Sequence, residues 1–93
     1  MIFTVEWADF ALGSLATVWV ATPDRNAVAA AAHAIDQTLA EDADAVGRVV
    51  FDTVREYSHP PLTVEFEVLH AERRVFVLTC WDTATGRPPA AGN

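Results

Sequence analysis

Residues 60–81, Pro-Pro-Leu-Thr-Val-Glu-Phe-Glu-Val-Leu-His-Ala-Glu-Arg-Arg-Val-Phe-Val-Leu-Thr-Cys-Trp, decide the fold, because they read as one alternating strand that turns straight into a second. Leu62, Val64, Phe66 and Val68 fall on one face and Thr63, Glu65 and Glu67 on the other, the period of two that a half-buried strand requires. The polar run His70-Ala71-Glu72-Arg73 suits a turn, and the double proline precedes the first strand, where missing amide donors cost least. The pattern predicts a hairpin with one dry face. Its wet face is threonine and glutamate.

Working outward, Phe3, Val5 and Trp7 alternate with Thr4 and Glu6, which predicts a first strand over 2–7. Asp9 offers a cap for a helix over 9–21, with Leu12, Leu15, Ala16 and Trp19 at three- and four-residue spacing. Thr22-Pro23-Asp24 then starts a second helix over 23–41: a hydroxyl at the cap, proline at the first helical position, and a carboxylate at the positive end of the helix dipole. Its stripe is Val28, Ala31, Ala32, Ile35 and Leu39, and it should stop between Glu41 and Ala45, ahead of Gly47. Residues 48–57 read as one strand, less cleanly alternating because Val49, Val50, Phe51 and Val54 are all apolar. Strands over 62–69 and 74–81 complete the chain. The short link between the helices predicts an antiparallel helical hairpin packed on a sheet. The expected fold is α+β in two layers: strand, helix, helix, then an antiparallel three-strand meander. One domain over 1–85 and a flexible tail over 86–93 follow from the Gly/Pro/Ala composition of the last residues.

Composition narrows the function. Ninety-three residues support a single core, and 13 acidic against 6 basic residues give a formal charge of −7. That charge repels phosphate backbones and removes the counterion release that drives most nucleic-acid binding. No apolar run approaches the ~20 residues of a membrane-spanning helix, so no membrane role is expected. Residues 1–6 carry no export signal, so a cytoplasmic location is expected. With Cys80 alone there is no intrachain disulfide or paired-cysteine zinc site, and His33, His59 and His70 share no metal-ligand spacing. No metal and no cofactor are expected.

The order of elements and several local motifs resemble the RelE/ParE superfamily of toxins from type II toxin–antitoxin modules. The resemblance is carried by Phe3-Thr4-Val5-Glu6-Trp7, the helix with Leu15 and Trp19, the alanine-rich helix closing on Ile35-Asp36-Gln37-Thr38-Leu39, Gly47, and Arg55 followed by residues 60–68. It covers roughly residues 2–82. The resemblance implies the superfamily fold and a cognate antitoxin as partner, with gyrase or the ribosome as targets and a homodimer as a further form. Superfamily members that cleave ribosome-bound messenger RNA carry basic side chains on the sheet and often a tyrosine or histidine near the C-terminus. Here the usually basic strand position falls on Thr63 and the one after the last strand near Asp82 or Thr83, and neither tyrosine nor histidine follows His70. Threonine and aspartate do not supply the positive charge that phosphoryl transfer needs.

Candidate site residues follow. Glu65 and Glu67 project side by side and suit an acid–base pair, a metal site or, more often, a solvated sheet face, here one that meets a partner. Arg55 on the neighbouring strand is the natural cross-strand partner for one of them, or else, as the resemblance implies, a remnant of the superfamily's phosphate-binding surface. Arg73 and Arg74, pointing to opposite faces, would blunt an exposed strand. Cys80 reads as a small buried hydrophobe, and Trp81 with Asp82 ends a strand where a partner segment would sit. The expected function is a toxin-fold protein acting through a cognate antitoxin, with a weakened or absent nuclease site. The alternatives are a ribosome-dependent endoribonuclease using Arg55 with Arg48 or Arg73, and a non-toxic homodimeric binding homologue.

Overall fold

The computed structural model describes residues 2–87. In chain order these form β1 (Thr4–Trp7), α1 (Asp9–Ala21), α2 (Arg25–Asp42), β2 (Arg48–Phe51), β3 (Val54–His59), β4 (Leu62–Leu69), a single 3-10 turn (His70–Glu72) and β5 (Arg74–Asp82). The class is α+β, with the expected strand, helix, helix and meander in that order. The sheet runs β1-β5-β4-β3-β2, antiparallel except where β1 lies parallel to β5. A parallel neighbour cannot be reached by a tight turn, so both helices and the whole meander lie between those two strands in sequence.

The alternation of β4 sets the layers. Leu62, Val64 and Phe66 are fully buried and share one cluster with Val28, Ala31, Ile35 and Leu39 of α2, the stripe expected for that helix. Val68, at the end of the alternation, is half-buried against the same cluster. From β5, Val75 and Val77 enter the cluster, and then the register slips by one residue opposite the Glu65–Phe66 step. This bulge reverses the parity of the strand, so Cys80 rather than Thr79 faces the helices.

Four details differ from the sequence reading, each for a local reason. Residues 48–57 form two strands, because Asp52 takes a left-handed φ of 50° and a two-residue turn folds Phe51 back onto Val54. Aspartate tolerates that conformation, and a bulge at Val50 scrambles the alternation that would have signalled a hairpin. The meander therefore has one more strand than expected. The cap of α2 is Asp24, whose side chain accepts from the Ala27 amide at 3.1 Å, while the Thr22 hydroxyl accepts from the Asp24 amide one turn earlier. Asp9 sits inside the first turn of α1 and Ala8 holds the cap position without a side-chain bond.

The fourth difference matters most for function. In α1 the side facing the sheet is Ala11 and Val18 with half-buried Ser14 and Leu15, whereas Leu12, Ala16 and Trp19, expected in the apolar stripe, lie exposed. Small residues are required there because the helix backbone approaches β5 closely: the Cys80 thiol donates to the Ala11 carbonyl at 3.8 Å. Nor does β5 need an arginine guard, since β1 occupies its far side and the sheet's edges are β1 and β2.

Gly47, the residue before β2, has φ of 76°, and a Cβ there would stand 2.6 Å from the Glu56 carbonyl oxygen. Only glycine fits where the chain from α2 meets β3. Truncating Phe66 to alanine should lower unfolding free energy by about 3–5 kcal/mol, because it empties the centre of the layer. Urea unfolding followed by tryptophan fluorescence measures this, and an unchanged midpoint would contradict the register of β4.

Candidate functional site

The face of the sheet opposite the helices collects the polar residues of every strand. By register, Thr63, Glu65 and Glu67 of β4 share it with Ser58 and Glu56 of β3, with Arg74, Phe76, Thr79 and Trp81 of β5, with Glu6 of β1 and with Arg48 of β2. The β5 bulge is what puts Trp81 there, opposite Thr63.

This face is less wet than the alternation suggested. Thr63 and Glu65 are both buried, and the reason is the segment after β5. The Asp82 carboxylate accepts from the Ala84 amide at 2.8 Å, and the Asp82 carbonyl accepts from the amides of Thr85 and Gly86 at 3.2 and 3.0 Å. These bonds fold the chain back on itself. Arg87 is thereby returned over the sheet, where it pairs with the Glu65 carboxylate and lies 5.3 Å from the centre of the Trp81 ring. The expected tail began at residue 86; Gly86 and Arg87 take these positions, and 88–93 lie outside the described residues.

Thr63 sits in a chain of hydroxyls. Its Oγ1 is 2.7 Å from Ser58 Oγ and 2.9 Å from Thr83 Oγ1, and the Thr83 amide donates to the Pro61 carbonyl at 2.9 Å. Of the positions where the resemblance leads one to expect basic side chains, Thr63 and Thr83 are thus neutral hydroxyls that satisfy one another, and Asp82 is a carboxylate engaged in the turn.

The arginines of the described residues are mostly committed. On the open face Arg48 pairs with Glu56 at 3.2 Å, Arg74 pairs with Glu6 and lies 5.1 Å over the Phe76 ring, and Arg87 holds Glu65. Thr53 donates to Glu67, so the expected neighbour of Glu65 is engaged by the β2–β3 turn. Arg55 lies opposite Phe66 on the helix side of the sheet and donates to the Asp44 carbonyl at 3.0 Å. It cannot pair with Glu65 or Glu67, which face the other way. Arg73 follows the 3-10 turn with φ of 52°. Arg48, Arg55 and Arg73 are therefore on the open face, on the helix side and in a turn, and no one site includes all three.

Of the residues expected to meet a partner, Glu65 and Trp81 converge on Arg87, Glu67 lies one step along the same face, and Asp82 shapes the turn. Sequence reading missed Arg87 because its role depends on the Asp82 turn and the β5 bulge, neither of which periodicity reveals. Beside the turn, α1 and the end of β5 enclose a cavity of about 340 Å³ lined by Ser14, Thr17, Ala21, Trp81, Asp82 and Thr85 among others. Among the described residues no three His, Cys, Asp or Glu side chains are grouped to hold a metal ion, and no helix is long and apolar enough to cross a membrane.

No protein-family model matches the sequence, and no curated protein matches it. Solved structures do. A chain of the toxin–antitoxin complex RelBE2 from Mycobacterium tuberculosis is similar with a TM-score of 0.73 at 15% identity, over 88% of this chain and 99% of that one. A chain of the chromosomal ParDE TA system from P. aeruginosa is similar with a TM-score of 0.68 at 15% identity, over 87% of this chain and 96% of that one. The fold is RelE/ParE-like.

Burial pushes the Cys80 thiol from 9.0 up to about 11. The folded state therefore keeps its proton where the unfolded chain ionises, so this contribution is intact below 9.0 and is lost as pH rises toward about 11. Stability should fall by up to about 3 kcal/mol more across that window in the native chain than in Cys80→Val. Parallel denaturation series in both proteins measure the difference, and equal slopes would refute it.

Proposed function

We propose that this chain is the toxin component of a type II toxin–antitoxin pair and that it works through protein partners. The observation carrying this reading is the outer face of α1. Leu12, Ala16, Trp19 and Val20 recur at three- and four-residue spacing on the side away from the sheet, and Phe10 is exposed near the same helix's start. A helix apolar on nearly every side is characteristic of one covered on nearly every side, and the sheet covers only one. A cognate antitoxin segment that lays apolar side chains on this stripe supplies the missing cover. Basic residues in that segment would match the charge of −7. Such a role places the chain in the cytoplasm.

The open face supports this reading over RNA cleavage. A phosphate arriving there would compete with carboxylates already holding Arg48, Arg74 and Arg87, and Thr63 with Asp82 or Thr83 offers hydroxyls or a carboxylate in place of cations. Transition-state charge on a phosphoryl group needs uncommitted positive groups. The arrangement supplies few. The likeness to chains from two toxin–antitoxin structures supports the same partner class through the fold.

Induced expression should arrest growth without cleavage of messenger RNA at translating ribosomes, and Arg55→Ala should leave the arrest in place. Cleavage abolished by Arg55→Ala would favour the ribonuclease; arrest without cleavage directs attention to a protein target such as gyrase. Co-expression with the product of the adjacent gene should yield a complex that Trp19→Asp weakens at least tenfold, measured by calorimetric titration.

A further inference from the structure

We infer that Glu65 and Trp81 form a guanidinium-recognition pocket whose ligand is an arginine side chain of a partner polypeptide, and that Arg87 is its occupant in the free chain. The proposal deepens the partner-directed reading and rests on it for the identity of the occupant. The pocket itself is defined by the chain's own residues.

Three observations converge on it. The Glu65 side chain keeps only 10% of its surface exposed, and a carboxylate so desolvated requires a cation. Trp81, buried to all but 6% of its surface, supplies the ring over which the Arg87 guanidinium lies at 5.3 Å. An anionic floor beside an aromatic surface matches the charge, planarity and fork of a guanidinium better than the compact charge of an ammonium. The third observation concerns the occupant. Arg87 leaves 60% of its side chain in solvent and is held from a short turn after β5, whereas the two groups it meets are buried. Glu65 and Trp81 belong to strands of the sheet, and the segment after β5 completes their burial; the arginine itself is attached by a surface turn.

The remaining polar groups fit a visiting arginine. Thr63, next to Glu65 on β4 and opposite Trp81 on β5, already shares its hydroxyl with Ser58 and Thr83 and can accept a further N–H. Glu56 lies directly across from Glu65 and is held only by the exposed Arg48. Glu56 with Arg48 and Glu65 with Arg87 thus form two neighbouring ion pairs, and the guanidinium in the pocket balances the Glu65 carboxylate. A partner arginine therefore exchanges with Arg87 with no change in the charge of the site. Because Arg87 is tethered, it competes at a high effective concentration, so an isolated arginine displaces it poorly and a partner anchored elsewhere displaces it well.

The test uses Arg87→Ala in the full chain and acetyl-Gly-Arg-Gly-amide as probe, followed by the indole N–H resonance of Trp81 and by thermal shift. The variant should bind the peptide at least tenfold more tightly than the native chain, and prefer it to acetyl-Gly-Lys-Gly-amide. Adding Glu65→Gln should abolish binding. If Arg87→Ala does not fold, Arg87→Lys keeps the charge and should bind the arginine peptide more tightly than the native chain does. Absence of peptide binding in a folded variant, or binding indifferent to Glu65→Gln, would overturn the pocket even if the adjacent gene's product forms a complex. Peptide binding without any such complex would support the pocket and sink the antitoxin reading instead.

Discussion

Burial of alternate residues of β4 beneath α2 is the constraint on which the rest of the molecule depends. Leu62, Val64 and Phe66 are fully enclosed, and a chain of this size has one core with which to offset the conformational entropy of folding. Once that face is committed, the parity of the strand sends Thr63 and Glu65 to the other side. Everything on the open face then follows as a consequence. A carboxylate sits in the middle of a sheet, flanked by strands on both sides, and needs a cation. Arg55, the nearest in sequence on the next strand, has been carried to the helix side by the same parity and anchors the Asp44 carbonyl instead.

The parts legible in the sequence were those governed by a long, uniform period. The alternation over 62–69 and the 3.6-residue stripe of α2 placed the core and the layers correctly, because each signal is repeated four or five times. The helix α1 defeated the same method: with apolar residues at 10, 11, 12, 15, 16, 18, 19 and 20, periodicity allows several phases, and the close approach of its backbone to Cys80 selected the small residues for the inner side. The β2–β3 hairpin was hidden by a bulge at Val50 and by a turn that uses aspartate in place of glycine. Short irregularities carry little sequence signal and large structural weight.

The candidate site shows the same division. Glu65 and Trp81 were visible as residues of interest, yet what connects them was not. One bulge turns Trp81 to the open face, one aspartate turn returns the chain, and Arg87 arrives over both. Thr63 and Thr83 illustrate the converse. Their identity was plain in the sequence, while their mutual hydrogen bond shows how the Thr63 hydroxyl is satisfied where a basic group was expected. The pair satisfies itself and leaves no buried polar side chain unpaired among the described residues.

The apolar face of α1 and the Arg87 pocket belong to different layers, and it is the other flank of α1 that reaches the C-terminal turn. The cavity beside the C-terminal turn is walled by Ser14, Thr17 and Ala21 of α1 on one side and by Trp81, Asp82 and Thr85 on the other. Leu12, Ala16 and Trp19 lie on the other flank of α1 from these residues, so a segment laid on that stripe would have to pass round the helix to reach the turn that carries Arg87. Attachment along α1 would make an arginine of such a segment effectively intramolecular with the proposed pocket if the intervening chain spans that distance, which is the condition under which it could outcompete a tethered residue. On the proposed reading, apolar burial would supply most of the affinity and the Glu65 carboxylate, which favours a cation, the selectivity among partners.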